Sequence, residues 1–401
     1  MPEAVIVATG RTPIGRAMKG SLVSCRPDDL AALAIREVVA KVPQLDPQQV
    51  EDVLLGCGQP AGEAGYNIGR VAALLAGMDV PGVTVNRYCS SSLQTIRMAA
   101  HAIKAGEGDV FVAAGVETVS RFMHGASDVG PHNPLFAEAE ARTAERNVAV
   151  TVPWTPLAAS LPDVYIAMGQ TAENVAEYEK VSREEMDEYA ARSQQRAVAS
   201  QEDGFFEREI IPVALEDGTV VTKDDGPRPG TTVEKLAELK PAFREGGTVT
   251  AGNACPLNDG AAAVVVMSDT KASELGITPL ARIVSSGVSA LNPEIMGLGP
   301  VDACRQALKR ANMTIDDIDL VEINEAFAAQ VIPSARHLGI EWEKLNVKGG
   351  AIALGHPFGM TGARIMTTLL NALEDENKRF GLESMCVGGG QGMAMIVERL
   401  S

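Results

Sequence analysis

Cys89 is the first residue of this sequence whose setting suggests covalent chemistry. It follows the strand-like segment Val83–Val85 and precedes Leu93–Ala105, whose apolar spacing predicts a helix. The free N–H groups and the dipole at the start of a helix favour a thiolate, the form of cysteine that attacks electrophilic carbon. Because a single cysteine is more often a buried structural residue, a nucleophilic role for Cys89 requires partners elsewhere in the chain.

A nucleophilic thiol needs a base, and the sequence has only 5 histidines. His356 lies between Gly355 and Pro357, where the backbone has little freedom. It is therefore our candidate for the base that removes the proton of Cys89. The competing interpretation is a polar loop histidine without a catalytic role.

Two further polar residues lie beside predicted strands. Cys386 precedes the glycine run Gly388–Gly392, whose backbone can approach a ligand and direct N–H groups at a developing oxyanion. A thiol there could move a proton at a substrate carbon. Asn324 follows the strand Leu320–Ile323, at the kind of strand end where α/β proteins bind ligands, so it could hold a water or a substrate oxygen. Taken alone, a core position for Cys386 and a helix cap for Asn324 are the more frequent roles.

The elements that must position these residues alternate between strands and helices, which predicts an α/β architecture. The expected strands are Val5–Ala8, Val53–Gly56, Val83–Val85, Asp109–Gly115, Leu320–Ile323, Ser384–Val387 and Met393–Val397, and the expected helices are Leu30–Lys41 (capped by Asp28 or Asp29), Asn67–Ala76, Leu93–Ala105, Arg183–Ser200, Pro300–Ala311 and Thr361–Leu373. Residues 46–55 and 314–321 both lead from a polar turn into an apolar strand. We therefore predict two similar halves with a cleft where they meet.

Residues 121–248 differ from both halves because they are rich in charge and in turns. Such an insertion either carries binding function or forms a solvated cover. The predicted domains are residues 1–120 together with 249–272, an inserted loop subdomain over residues 121–248, and residues 273–401.

Composition excludes several classes of function. The 401 residues contain 35 Lys and Arg against 52 Asp and Glu, so the net charge is 35 − 52 = −17. Such an acidic chain is not expected to bind nucleic acid or an anionic membrane. The longest apolar run, Ala261–Met267, is too short to span a bilayer, and we expect no signal peptide. The 6 cysteines include no CxxC pair, which predicts a reducing, cytoplasmic compartment and no zinc site.

The motifs together resemble those of the thiolase family. The segments that carry the resemblance are Val5–Gly15, Cys89–Leu93, Gly247–Ala263, Asn324–Phe327, Gly349–Pro357 and Cys386–Gly392. They follow the order of the family and extend over essentially the whole chain. The resemblance implies the thiolase fold, with two pseudo-repeated α-β-α-β-α halves and an inserted loop subdomain.

The resemblance also implies a role for each candidate residue. Cys89 would attack the 3-keto carbon of a 3-oxoacyl-CoA, and His356 would take the thiol proton. His356 and a water on Asn324 would stabilise the enolate of the departing acetyl-CoA, which Cys386 would protonate before it helps to deprotonate the incoming CoA. The N–H groups of Cys89 and Gly388 would hold the carbonyl oxygen of the acyl-cysteine. Coenzyme A would be a co-substrate in a ping-pong scheme that needs no metal and no bound cofactor.

The ligand contacts implied by the resemblance are assigned residue by residue. Arg228 would contact the adenine or phosphate end of CoA, and Ala251 and Cys255 belong to the segment beside the pantetheine arm. Met168 and Phe327 could line the acyl pocket, and their alternative is core packing.

Three positions depart from the family pattern. Ser92 stands where glycine is common, and Cys255-Pro256 stands where small polar residues are usual. Ala167 replaces the histidine of the His-Met-Gly motif of biosynthetic acetoacetyl-CoA thiolases. Together with Arg228–Thr232, this pattern favours the degradative 3-ketoacyl-CoA thiolases.

Other functions stay open at this point. The nearest is an acetoacetyl-CoA thiolase acting on C4 substrates or in the condensation direction. A condensing enzyme that uses an acyl carrier protein would have a second histidine in place of Asn324, and a sterol-carrier type of thiolase would also carry a histidine in that motif. Outside this chemistry, a non-catalytic acyl-CoA-binding scaffold and a thiol-redox sensor at Cys89 and Cys386 are the alternatives. The resemblance implies a homodimer or homotetramer, with a partner subunit of fatty-acid β-oxidation as a further expectation.

Overall fold

The computed structural model of the protein describes residues 2–148, 154–156 and 160–401. Within these ranges, no helix combines the length and the apolar character needed to cross a membrane.

The strands and helices match most of the expected segments to within a few residues. The strands of the described ranges are β1 (Ala4–Arg11), β2 (Gly15–Arg16), β3 (Asp52–Gly56), β4 (Gly82–Val85), β5 (Val110–Thr118), β6 (Val213–Ala214), β7 (Val220–Val221), β8 (Asn258–Ser268), β9 (Ala281–Ala290), β10 (Leu320–Ile323), β11 (Phe380–Val387) and β12 (Gln391–Arg399). The α-helices there are α1 (Pro27–Ala40), α2 (Ile68–Leu75), α3 (Ser91–Ala105), α4 (Ala137–Val148), α5 (Met168–Glu179), α6 (Arg183–Glu202), α7 (Val233–Ala237), α8 (Asp269–Glu274), α9 (Gly299–Ala311), α10 (Ala328–Leu338), α11 (Ala351–Leu354) and α12 (Thr361–Asp375).

The start of α1 differs from the expectation. Its N-cap is Arg26, which makes no side-chain cap, and Pro27 occupies the first turn. Proline is suited to this position because its missing N–H would have no partner in the first turn. Asp28 and Asp29 therefore lie inside the helix, where their charge favours its N-terminus, and the prediction that they cap it is wrong.

The described strands form one 10-stranded sheet and one small hairpin, β6–β7. The sheet order is β10-β11-β12-β9-β1-β8-β5-β3-β4, with β2 added to β8. On either side of the β9–β1 contact the same order occurs, since β3-β5-β8-β1 corresponds to β10-β11-β12-β9. In both halves the first two strands of that order are parallel and the next pairing is antiparallel. This repetition agrees with the prediction of two similar halves.

The two halves meet at a narrow seam. Strands β9 and β1 share only two residue pairs, Val5 with Arg282 and Ile6 with Ala281. The N–H of Ala363 on α12 donates to Ser92 Oγ on α3 at 2.9 Å, so the serine that departs from the family pattern links the middle helices of the two halves. Residues of both halves contribute to one apolar core, which includes Ile96 on α3 and Ile365 on α12.

The insertion is more regular than its composition indicates. It contains the 20-residue helix α6, which starts with a capping box formed by Ser182 and Glu185. The buried guanidinium of Arg11 binds Glu209 and Asp224, each at 2.7 Å. Both carboxylates belong to the insertion, so this ion pair fixes the insertion to strand β1.

Candidate active site

Cys89 lies in a single 3₁₀ turn, Tyr88–Ser90, between β4 and α3. Tyr88 has a φ of +41°, a left-handed conformation that is uncommon for residues other than glycine. Side chains hold this turn: Asn86 Oδ1 accepts the N–H of Tyr88 at 2.8 Å, and Ser91 Oγ accepts the N–H of Arg87 at 2.9 Å. The thiol is consequently fixed where the strand ends and the helix begins.

The environment of the Cys89 thiol keeps it protonated at rest. Burial raises the pKa of Cys89 to about 11, although the N–H groups of Gly388 and of Cys89 itself donate toward the sulfur and favour the ionised form. Desolvation of a charged sulfur outweighs these two hydrogen bonds. The prediction that the helix start produces a thiolate is therefore wrong for the resting protein. The N–H groups of Gly388 and Cys89 both lie at the sulfur, and their role as an oxyanion site stays a prediction.

His356 is 1 % exposed, and its hydrogen bonds define which ring nitrogen carries the proton. Its Nδ1 lies 2.6 Å from Thr361 Oγ1, and that hydroxyl donates to the carbonyl of Pro357 at 2.8 Å. Since the proton of the hydroxyl is already used, Nδ1 must be the donor and Nε2 carries the lone pair. Burial, aided by the charge of Arg364, lowers the pKa of His356 to about 3. The imidazole is therefore neutral and can accept a proton at Nε2.

Asn324 follows β10 and faces the imidazole. Its Nδ2 lies 3.3 Å from His356 Nε2, and its N–H donates to Ser384 at 2.9 Å. Its Oδ1 is buried and has no hydrogen-bond partner among the described residues, which normally costs about 1–3 kcal/mol. The N-cap of the next helix, α10, is Phe327. Asn324 is thus no helix cap, and its role in holding a water stays a prediction.

Cys386 lies near the end of β11, and the glycine run follows it. The thiol is fully buried, 3.5 Å from the side-chain amide of Gln330. Burial raises its pKa well above the usual value, and the thiols of Cys89 and Cys255 act in the same direction. Gly389 and Gly390 have φ values of +79° and +80°, so the turn into β12 has a backbone that suits glycine. This turn places the N–H of Gly388 at Cys89.

A cleft of about 520 Å³ opens at Cys89. Its lining residues come from the Cys89 turn, five loops and the start of α5: Gln59, Tyr88, Cys89, Ser127–His132, Val164–Met168, Phe358, Gly388 and Gly389. Met168 and Ala167 therefore lie where a group attached to Cys89 would extend.

The other predicted ligand residues lie outside this lining. Phe327 packs edge-on against Phe243 with ring centres 5.8 Å apart, and the N–H of Cys255 donates to Ala326 at 3.0 Å. Arg228 and Ala251 are exposed. Arg228 is close enough to Arg16 for that charge to lower its pKa, after the larger effect of burial.

Some residues that hold the site together had no predicted role. Thr361 sets the tautomer of His356, and its only signal was its position at the predicted start of α12. Glu117 is buried at the end of β5 and accepts N–H groups from Gly58, Gln59 and Gly359 at 2.8, 3.1 and 2.9 Å. The signal for Glu117 in the sequence was an acidic residue at the end of an apolar strand. Arg16 had no signal in the sequence other than its positive charge.

Comparison with known proteins identifies the family. The model of the thiolase N-terminal domain matches residues 4–270, and that of the thiolase C-terminal domain matches residues 277–399. The chain belongs to the thiolase family and is an acyltransferase enzyme.

Named relatives align over nearly their full lengths. The chain is 46 % identical to the 3-oxoadipyl-CoA/3-oxo-5,6-dehydrosuberyl-CoA thiolase of Escherichia coli K12, covering 100 % of both chains. It is 43 % identical to the 3-ketoacyl-CoA thiolase of Bacillus subtilis, covering 99 % of this chain and 100 % of that protein. The crystal structure of the Bacillus anthracis acetyl-CoA acetyltransferase superposes with a TM-score of 0.85 at 39 % identity, covering 100 % and 99 % of the chains. The predicted thiolase fold is confirmed.

Proposed function

We propose that the protein cleaves a 3-oxoacyl-CoA with CoA, giving acetyl-CoA and an acyl-CoA shortened by two carbons. The observation that carries this proposal is the combination of a neutral imidazole whose Nε2 carries the lone pair and a buried amide oxygen at Asn324 without a partner among the described residues. This pair can take a proton and hold a water beside a developing enolate oxygen, which are the two requirements of carbon–carbon cleavage next to a ketone.

The first half-reaction begins with a neutral pair. Because the pKa of Cys89 is raised and that of His356 is lowered, the thiol proton moves to His356 Nε2 as the sulfur bonds to the 3-keto carbon. The C2–C3 bond then breaks, and its electron pair becomes the enolate of acetyl-CoA, whose oxygen is held by His356 and the water on Asn324. Cys386 gives its proton to C2, and acetyl-CoA leaves.

The second half-reaction restores the enzyme. The Cys386 thiolate takes the proton of the incoming CoA thiol, and the CoA sulfur attacks the carbonyl carbon of the acyl-cysteine. The N–H groups of Cys89 and Gly388 stabilise the oxyanion of this step. The Cys89 sulfur leaves and recovers its proton from His356. CoA is a co-substrate throughout, and no step requires a metal or a redox cofactor.

CoA itself would lie on the face that carries Arg228. Arg228 and Arg16 are close, and neither guanidinium forms an ion pair within the described part of the chain. Two unpaired cations on an acidic protein suit the phosphates of CoA. Met168, Cys255 and Phe327 pack against one apolar cluster, so the pantetheine arm would pass between this cluster and the exposed Ala251.

The acyl group defines two candidate activities. A 3-ketoacyl-CoA thiolase of fatty-acid β-oxidation is the first, as the Bacillus subtilis relative is named. A thiolase for acyl groups with a polar end is the second, since the cleft is lined by Ser127, His132 and Tyr165 and the Escherichia coli relative is named for 3-oxoadipyl-CoA.

A steady-state thiolysis assay tests both candidates. 3-Oxohexanoyl-CoA and 3-oxoadipyl-CoA have equal chain length and differ by one terminal carboxylate. A higher kcat/KM for the first supports the β-oxidation activity, and a higher value for the second supports the polar acyl group. No thiolysis of either compound or of acetoacetyl-CoA by folded, reduced protein would refute the proposed function.

We also propose that the enzyme works as a homodimer or homotetramer. Strand β4 ends the sheet order, and Tyr66, Leu74 and Leu75 beside it are largely exposed. An open strand edge next to exposed apolar side chains is a surface on which chains associate. Light scattering gives the mass in solution. The cytoplasmic location and the β-oxidation partner subunit stay predictions from the sequence.

A further inference from the structure

One wall of the cleft is a six-residue segment, Ser127–His132, that has few bonds to the rest of the protein. At its far end, the ring of His132 stacks on Tyr165 with centres 3.9 Å apart, and Nδ1 of the same ring lies 3.1 Å from Glu140. At its near end, every hydrogen bond found among the described residues goes to one acceptor, Oε1 of Gln59. We call Ser127–His132 the cleft wall.

The Gln59 amide oxygen accepts three donors from the start of the wall. The N–H and the hydroxyl of Ser127 lie at 2.8 Å, and the N–H of Asp128 lies at 3.0 Å. The Gln59 side chain is 3 % exposed, whereas Ser127 and Asp128 are exposed, so a buried acceptor holds a segment that faces solvent. Without this acceptor, the three donors can bond to water instead, and the start of the wall loses its attachment to the interior.

Gln59 is itself held by the buried carboxylate of Glu117, which accepts its N–H at 3.1 Å. The same carboxylate accepts the N–H of Gly359 at 2.9 Å, three residues after His356. One buried group therefore fixes both the loop of the catalytic base and the residue that fixes the wall. The chain of contacts runs from Glu117 through Gln59 to Ser127.

We propose that Gln59 is a positioning residue that determines acyl specificity by holding the cleft wall against the acyl group. This inference rests on the proposed function, because the wall is a specificity element only if Cys89 carries the acyl group into this cleft. An acetyl group on Cys89 is too short to extend along the wall, whereas a longer acyl group packs against it. Gln59 thus acts on the relative rates of long and short substrates.

The test compares Gln59→Leu with the control Gln49→Leu, which makes the same change at an exposed glutamine. Hydrogen exchange followed by mass spectrometry should show residues 127–132 exchanging about tenfold faster in Gln59→Leu, with α3 and α12 unchanged. The ratio of kcat/KM for 3-oxodecanoyl-CoA to that for acetoacetyl-CoA should fall about tenfold. Neither quantity should change in the control.

A second variant keeps the proposal testable if Gln59→Leu does not fold. Ser127→Ala removes one of the three donors. It should therefore speed the hydrogen exchange of residues 127–132 and lower the kcat/KM ratio of long to short substrates, both by less than Gln59→Leu does. Combined with Gln59→Leu it should add little, because both changes break the same contact. Normal exchange at residues 127–132 in both variants, or an equal loss on long and short substrates, would overturn the proposal. An enzyme without thiolysis activity would instead refute the proposed function, since the exchange measurement does not depend on turnover.

Discussion

The two halves of the sheet repeat one strand order but contribute different chemistry. In the N-terminal half, β4 leads through the Cys89 turn directly into α3. In the C-terminal half, the corresponding helix α12 begins only after a longer loop that carries His356. The repeat therefore brings two helix starts together, with the Cys89 thiol in front of α3 and the His356 imidazole in front of α12. The C-terminal half adds the amide of Asn324 after β10 and the thiol of Cys386 on β11.

The two halves also resemble each other in how they control charge. Each half buries its reactive group and stabilises the neutral form, since the pKa of Cys89 is raised to about 11 and that of His356 is lowered to about 3. Burial is the largest cause of both shifts, because it disfavours the thiolate as well as the imidazolium. Neither half is reactive by itself, and substrate binding is needed to couple the proton transfer to bond formation.

Removing the reactive group from either half should have the largest effect on activity. Cys89→Ala and His356→Asn should each lower kcat by about 10⁴-fold or more, and the double variant should be little worse than either. Thiolysis of acetoacetyl-CoA measures this, with Cys25→Ser as the control for a thiol outside the site. If the losses of kcat in the two single variants instead add up in the double variant, Cys89 and His356 act independently and the two halves do not share one step.

The second thiol of the C-terminal half should come next. Cys386→Ala should lower kcat by about 10²–10⁴-fold, because C2 loses its proton donor and the CoA thiol loses its base. In this variant, the acylation of Cys89 should be faster than the release of acetyl-CoA. Stopped-flow absorbance of the enolate form of the 3-oxoacyl-CoA substrate follows the acylation step. A variant with the kcat of the wild type would exclude Cys386 from the mechanism.

The tautomer of His356 depends on a single hydroxyl. Thr361→Val keeps the shape but removes the acceptor for Nδ1–H, so kcat should fall about tenfold or more while KM changes little. Thr361→Ser should restore most of the activity because it returns the hydroxyl. If valine and serine variants behave alike, the hydroxyl does not set the tautomer.

The smallest expected effect concerns stability. Glu322 on β10 is buried, which raises its pKa from 4.5 to about 8, with Arg364 opposing the shift. A raised pKa in the folded state gives stability that is complete below the unfolded value and is lost as pH rises through about 8. The free energy of unfolding should therefore fall by about 1 kcal/mol between pH 7 and 8 through this group.

Urea unfolding at fixed protein concentration measures this dependence. Glu322→Gln should flatten it, and Glu374→Gln, at an exposed position on α12, should not. His356 does not contribute in this window because its lowered pKa affects stability only between about 3 and 6.5. An unchanged slope in Glu322→Gln would show that another buried group, such as Glu383, controls the effect.

The sequence predicted the elements with strong periodicity and the motif residues at their ends. Strand β10 and helix α6 begin where expected because a polar turn and a capping serine mark them. Strands β8 and β9 and helix α10 were not predicted. The apolar residues of β8 form a continuous run, which does not distinguish a strand from a buried helix, and α10 carries Pro333 in its interior.

The candidate catalytic residues could be selected from the sequence, but their protonation could not. The pKa of Cys89 depends on how deeply the turn is buried, and the tautomer of His356 depends on Thr361, whose hydroxyl reaches Nδ1 only through the turn that starts α12. Glu117 joins Gly58, Gln59 and Gly359, which are distant in sequence. Such contacts become visible only when the fold brings the loops together.

The most direct measurement is the mass of the intact protein after incubation with a 3-oxoacyl-CoA in the absence of free CoA. Covalent catalysis at Cys89 predicts an increase equal to the acyl group shortened by two carbons, located on the peptide that contains Cys89 and absent in Cys89→Ala. An unmodified mass for folded, reduced protein with every substrate tested, or an adduct on another residue, would contradict the assignment of Cys89 as the nucleophile.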